Sequence, residues 1–201
     1  APNVDYYMVE GSTIGYLKIE TFSNTLATQV KNALSELENQ GMTSLIIDLR
    51  NNTGGYLTAA TDVASIFLNK GDKIFSLEYQ NELTDYKDET KESKDYPIAV
   101  LINGNSASAS EILAAALKES YGATTVGETS FGKGKVQQTM QLDDGSMVKY
   151  TSSYWLTPNG TCIDEIGIAP DYYVTNKEQT DEFGNTVVVD DQLNKAIEIL
   201  K

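Results

Sequence analysis

Residues 97–117 read PIAVLINGNSASASEILAAAL. The stretch opens with a continuous apolar run of strand length, passes through a loop of small polar residues, and ends in a leucine- and alanine-rich run of helix length. An unbroken apolar run marks a strand buried on both faces, as in a parallel sheet covered by helices. The expected elements are a strand over Pro97–Asn103 and a helix over Glu111–Glu119. The same unit recurs upstream. Ser44–Leu49 is a second buried-type strand, RNNTGG (Arg50–Gly55) is its loop, and a helix follows through Val63 and Phe67 to a stop near Gly71. Before that, Ile14–Ile19 reads as a strand. A helix then places Leu26, Val30, Ala33, Leu34 and Leu37 on one face, with Ser23 or Thr25 as its cap and Gly41 at its end.

Downstream, Lys73–Tyr79 reads as a strand, and 81–96 as a charged, exposed excursion. Ala123–Val126 is a short strand. Beyond Gly134, strands are expected over Lys135–Leu142, Met147–Leu156 and Ile168–Val174, with turns at Asp144-Gly145 and Pro158-Asn159-Gly160. A polar stretch leads to a last helix capped by Asp190 or Asp191, with Leu193, Ala196, Ile197 and Leu200 on its apolar face. Alternating strands and helices define an α/β fold with a largely parallel sheet and an antiparallel β extension, organised as one domain over 1–201. Ligands in such sheets bind beyond the strand C-terminal ends, where Arg50–Gly55 and Asn103–Ser110 lie, so both loops are expected to line one cleft.

Composition narrows the chemistry. The 201 residues carry a net charge of −14, which disfavours phosphate backbones and anionic membranes as partners. The single cysteine, Cys162, excludes an internal disulfide and a multi-cysteine zinc site. No histidine is present, so Ser-His-Asp triads, Cys-His pairs and histidine-bound zinc are excluded together. Acid–base chemistry must come from Asp, Glu, Lys, Tyr or Cys. No metal or other cofactor is expected. The N-terminus, APNVDYYMVE, lacks the features of a signal peptide.

Two loops then stand out. In the serine loop, Ser108 lies three residues before Glu111, the capping-box spacing, and Ser106 and Ser110 can also cap. Read alone, the loop is a helix cap. Read functionally, it presents a serine at a helix N-terminus, where outward N–H groups stabilise negative charge such as a tetrahedral oxyanion. The second loop, GETSFGKGK (Gly127–Lys135), nearly matches a phosphate-binding loop, but Gly134 replaces the hydroxyl that would hold magnesium and no helix follows. Lys133 is instead flanked by glycines. With extended chain beyond it, Lys133, Lys135 and Gln137 share one face. A lysine serves as base only when neutral, which takes burial costing on the order of 4 kcal/mol; Phe131 is placed to supply it. Read alone, Lys133 is one of 14 lysines and a solvated surface residue.

Together, GYLKIETF, LIIDLRNNTGGYL, VLINGNSASASEILAAALKE, VGETSFGKGKVQQ, DGSMVKYTSSYWLTPNG and GIAPD resemble the carboxyl-terminal processing peptidases, also called tail-specific proteases. The motifs occur in the family's order from about Gly15 onward. The resemblance implies a crotonase-like (ClpP/crotonase) fold and a serine endopeptidase working by a Ser–Lys dyad. It implies Ser108 as nucleophile and Lys133, 25 residues later, as general base. It also implies Gln137 as the residue orienting the lysine, and an oxyanion hole from the N–H of Ala109 and of Gly54 or Gly55. The implied partner is a protein or peptide bound as an extended strand, near apolar or unfolded C-terminal tails. Family members usually carry a PDZ domain, and none fits in these residues, so the chain resembles a core without it. The family's location is extracytoplasmic. Thr53 stands where the family usually has proline, and TPNGTCIDEIG carries Cys162 and an acidic pair where polar or basic residues are more usual. Three other readings compete, of which one is a structural role with the serines as caps only. A non-catalytic, ligand-binding relative would be expected to lack an intact dyad. An acyl-CoA enzyme on the same fold would need paired carboxylates, which Glu111 and Glu119 do not supply. Oligomeric state is not legible.

Overall fold

The computed structural model describes residues 2–201, with the side chains at 138 and 139 left undescribed. In chain order the elements are β1 (Val4–Met8), β2 (Ile14–Ile19), α1 (Leu26–Asn39), β3 (Ser44–Asp48), α2 (Leu57–Phe67), β4 (Lys73–Tyr79), β5 (Glu82–Lys87), β6 (Ile98–Ile102), α3 (Ala109–Ala116) with a π-turn over Leu117–Tyr121, β7 (Thr124–Gly127), β8 (Lys135–Gln141), β9 (Met147–Leu156), β10 (Tyr172–Tyr173), β11 (Lys177–Thr180), β12 (Thr186–Val189) and α4 (Asp191–Leu200).

The main sheet has the order β1-β2-β3-β6-β7-β10. Only β1 runs antiparallel to its neighbour; β2, β3, β6, β7 and β10 are parallel. Every residue of β3 and β6 is buried, as continuous apolar runs require. Their alternation sorts side chains to two layers. Leu45, Ile47, Val100 and Ile102 pack with α1, α2 and α3, whereas Ile46, Ala99 and Leu101 pack under α4. Among the described residues no helix is long and apolar enough to cross a membrane.

The antiparallel strands β5, β4, β9 and β8 form a separate four-stranded sheet in that order, rather than an extension of the first. The excursion expected over 81–96 contains β5, which pairs antiparallel with β4, with one register shift between Lys73 and Phe75, despite full exposure, because hydrogen bonding to β4 needs no apolar face. Of the strand expected over Ile168–Val174, only Tyr172 and Tyr173 pair, against β7. The helix expected over Glu111–Glu119 begins two residues earlier and loosens into the π-turn. The polar stretch before α4 holds the hairpin β11–β12. Neither expected cap of α1 operates through its side chain: Thr25 is the N-cap residue but makes no side-chain cap bond, and the Ser23 carbonyl accepts the Leu26 N–H instead. At α4 the choice falls to Asp190, whose carboxylate accepts the Leu193 N–H at 3.0 Å.

Candidate active site

The C-terminal ends of three adjacent parallel strands carry the three loops of interest. Arg50–Gly55 leaves β3, Asn103–Ser108 leaves β6, and the lysine loop leaves β7. The first two are stapled together. The Asn103 Oδ1 accepts the Asn51 N–H at 3.0 Å, the Asn103 amide donates to Asn51 Oδ1 at 3.0 Å, and the Ala107 N–H donates to the Asn52 carbonyl at 3.1 Å.

This stapling separates the three serines. Ser106 is buried and its hydroxyl donates to the Leu49 carbonyl at 2.8 Å. Ser110 is buried and donates to the Asn52 carbonyl at 2.7 Å. Both therefore hold the Arg50–Gly55 loop in place. Ser108 lies between them at the N-terminus of α3 and lines a cleft of about 290 Å³ with Leu57, Ala109, Ile112, Val136, Trp155, Gln137 and three lysines. Its backbone sits at φ 57°, ψ −117°, a conformation costly for any residue with a Cβ. Such strain persists only where surrounding contacts impose it. Here Gly54 packs so close that a Cβ on it would lie 2.9 Å from the Ser108 Cβ and 3.1 Å from the Ala109 nitrogen.

The two loops carry four candidate donors, the N–H groups of Gly54, Gly55, Ser108 and Ala109, and two are already used. The Gly54 N–H donates to Asn52 Oδ1 at 2.9 Å, and the Ser108 N–H donates to Glu111 Oε2 at 2.9 Å. The N–H groups of Ala109 and Gly55 have no acceptor among the described residues.

Lys133 and Gln137 line the Ser108 cleft and also a second one of about 480 Å³, formed with Thr53, Asn105, Ala107, Phe131, Gly132, Lys135, Asp164 and Glu165. The structure thus brings Ser108, Ala109, Lys133 and Gln137 to one surface, with Gly54 directly behind Ser108. It corrects one expectation. Phe131 is 62% exposed and Lys133 is also exposed, so Phe131 supplies no desolvation in this arrangement. The glycines flanking Lys133 have a different cause from the one expected. A Cβ at Gly132 would meet the Gly167 nitrogen at 2.9 Å, and one at Gly134 the Asp164 backbone at 2.8 Å. They admit the turn over 163–167, whose Glu165 N–H donates to the Gly132 carbonyl at 2.8 Å. From the other side, buried Trp155 donates its indole N–H to the Lys133 carbonyl at 2.8 Å. Lys135 is paired to Asp164 and Glu165, both at 3.1 Å, which holds its ammonium above its ordinary range.

Sequence reasoning passed over Asn52, Trp155 and the full part played by Glu111, which the capping-box spacing marked only as a helix-terminal residue. It also passed over Arg50. That guanidinium makes paired bonds to Asp48, with Nη2 at 2.6 Å, and to Asp190, with Nη1 at 2.7 Å, and it reaches Gln192 at 3.0 Å. Burial opposes its charge, but the two carboxylates outweigh burial and hold Arg50 still more firmly protonated. The Arg50–Gly55 loop is thereby anchored at its root to α4.

The sheet thus presents a strained serine and a lysine to one cleft, in a chain with no histidine. The chain belongs to peptidase family S41, whose family model matches residues 13–174. It is 42% identical over 166 residues to the carboxy-terminal processing protease CtpA of Bacillus subtilis (strain 168), covering 82% of this chain and 36% of that protein. To CtpB of the same organism it is 43% identical over 163 residues, covering 81% and 34%. Among solved structures, the photosystem II D1 C-terminal processing protease matches with a TM-score of 0.79 and 32% identity, covering 86% of this chain and 48% of that one. The chain spans about a third of the length of these curated relatives.

Proposed function

We propose that this chain is the catalytic domain of a serine endopeptidase in which Ser108 is the nucleophile and Lys133 the general base. The observation that carries the reading is the division of labour in the serine loop: Ser106 and Ser110 are committed to holding the neighbouring loop, and Ser108 alone is presented to a cleft that Lys133 shares. Lys133, once neutral, takes the Ser108 hydroxyl proton as Oγ attacks the scissile carbonyl. The resulting ammonium then protonates the leaving amine, and water hydrolyses the acyl-enzyme by the same route. The oxyanion falls to the N–H groups of Ala109 and Gly55, because those of Gly54 and Ser108 already have acceptors. Each such donor is worth roughly 3 to 4 kcal/mol of barrier. Gln137, beside Lys133 in both clefts, orients the ammonium.

The substrate is a polypeptide bound as an added strand along β8, the outer strand of the second sheet. Leu57, Ile112, Val136 and Trp155 make the pocket beside Ser108 apolar, which favours an apolar residue before the cut and suits unfolded C-terminal tails. A strand lying across both clefts would cover Lys133 and supply the desolvation that Phe131 does not. In the full-length protein, a PDZ domain delivering such tails and a location outside the cytoplasm complete the reading. The exposure of Lys133 favours a second reading, a binding relative that holds peptides without cutting them.

Incubating the chain with an unstructured peptide of apolar C-terminus, beside Ser108→Ala and Lys133→Ala, separates the two by mass spectrometry. Cleavage by the parent, lowered at least about 10³-fold in both variants, is expected. Peptide that binds but stays intact with all three proteins would establish the binding relative.

A further inference from the structure

Glu111 is fully buried, and its carboxylate is absent from the proposed proton path. Four donors converge on it. Oε1 accepts from the Ser130 hydroxyl and from the Gly132 N–H, both at 2.6 Å. Oε2 accepts from the Ser108 N–H and from the Lys133 N–H, both at 2.9 Å. A carboxylate accepts at about four lone-pair positions and donates at none, so the group is matched to this set of donors and a neutral amide is not. The second oxygen matters most. The backbone nitrogens of Ser108 and Lys133, 25 residues apart in sequence, are each 2.9 Å from one atom, and so lie no more than roughly twice that distance from one another. The bond that closes the cap of α3 is also a tie between the two loops.

Resting on the peptidase reading above, we propose that Glu111 is the positioning residue of the dyad. Its carboxylate fixes the separation of the Ser108 and Lys133 backbones, and through Oε1 it carries the rest of the lysine loop. It also engages the Ser108 N–H, which leaves oxyanion binding to other donors. In Glu111→Gln the amide oxygen can satisfy one pair of donors only. The amide NH₂ then opposes the other pair, and retention of the shorter Ser130 and Gly132 bonds sets it against Ser108 and Lys133. A misplacement of about 1 Å between reacting groups costs on the order of 10²-fold in rate.

The test compares Glu111→Gln with Ser130→Ala. Ser130 is buried beside the same carboxylate, donates to Oε1 and accepts the Ile168 N–H at 2.7 Å, so its loss weakens the loop without touching Oε2. Peptide turnover is expected to show kcat lowered about 10²-fold in Glu111→Gln with KM within about 3-fold of the parent, and kcat within about 5-fold in Ser130→Ala. Equal kcat losses in the two variants, in step with their melting temperatures, would reduce Glu111 to a structural support and overturn the proposal. So would a parent-like kcat in Glu111→Gln. Should that variant not fold, Glu111→Asp takes its place, since it keeps the charge but shortens the reach by one methylene; parent-like turnover there overturns the proposal equally. Amide hydrogen exchange at Ser108 and Lys133 needs no activity. Joint loss of protection at both amides is expected in the Glu111 variants, and protection unchanged at either would overturn the tie. Exchange behaving as expected in a parent that cuts no peptide would instead locate the failure in the peptidase reading.

Discussion

Ser108 carries a conformational cost that its two neighbours help to impose. With φ at 57° and ψ at −117° it occupies a region comfortable only for glycine, at a cost of roughly 1 to 3 kcal/mol. Ser106 and Ser110 anchor the segment from within by buried hydrogen bonds to the Leu49 and Asn52 carbonyls, and the Ser106 hydroxyl also accepts the Asn103 N–H at 3.0 Å. The three serines should therefore part company on mutation. Ser106→Ala and Ser110→Ala each remove one buried hydrogen bond from a carbonyl that keeps a backbone donor, Asn52 N–H on Leu49 and Ala107 N–H on Asn52, and should lower stability by about 0.5 to 1.5 kcal/mol in denaturant titrations. Ser108→Ala should leave stability near that of the parent, because its Cβ and the strain remain. Ser108→Gly should raise the melting temperature while abolishing turnover, since glycine relieves the strain. A Ser108→Gly protein less stable than the parent would mean that the observed backbone is not strained. The alternation of serine and alanine does not show which hydroxyl faces the cleft; Ser108 was implied only by the family resemblance. The choice rests on bonds to Leu49 and Asn52, more than fifty residues away, and no local pattern encodes them.

Among the elements, α4 reaches farthest from its own position in the chain. Its cap, Asp190, also holds Arg50, so one carboxylate terminates the helix and anchors the loop that carries Gly54 and Gly55. Burial works against the Asp190 charge, but Arg50 and the Leu193 N–H outweigh it and hold the carboxyl below its ordinary 3.8. Asp171 is lowered in the same sense: burial opposes its charge, whereas bonds from Thr125 and Lys118 outweigh burial. A carboxyl depressed in the folded state contributes stability above its unfolded value, and that stability is lost as pH falls through the folded one. These two groups should leave stability level from pH 7 to about 5 and erode it below about 4. Asp190→Ala should cost about 2 kcal/mol at neutral pH, from cap and ion pair together, and should show a shallower acid decline than the parent. Thermal melts of both proteins between pH 7 and 2.5 check this, and parallel declines would exclude Asp190 as a source of the acid sensitivity. The helix itself was legible from its apolar face and its acidic start. Its link to Arg50 was not, because residues 140 positions apart in sequence share no pattern.

For the molecule as a whole, the parallel sheet could be read from buried-type strands such as Ser44–Leu49 and Pro97–Asn103, whose continuous apolar runs admit little else. The second sheet was harder. The strand β5 has no buried residue, and the hairpin β11–β12 is almost as exposed, so neither has the hydrophobic period that marks a strand. The convergence of the serine and lysine loops on one cleft was legible through the family resemblance, but the wiring through Glu111, Asn52 and Trp155 was not, because one side chain there serves two loops. The Arg50 clamp has one more consequence. Arg50 is the sole arginine in the chain, so an arginine-specific endoprotease has a single bond to cut, between Arg50 and Asn51. In the folded protein that guanidinium is locked between two carboxylates and is unavailable to a protease pocket. The chain thus contains its own reporter of opening: where closing outpaces cleavage, the rate at which it falls into two fragments measures how often β3, the Arg50–Gly55 loop and α4 come apart.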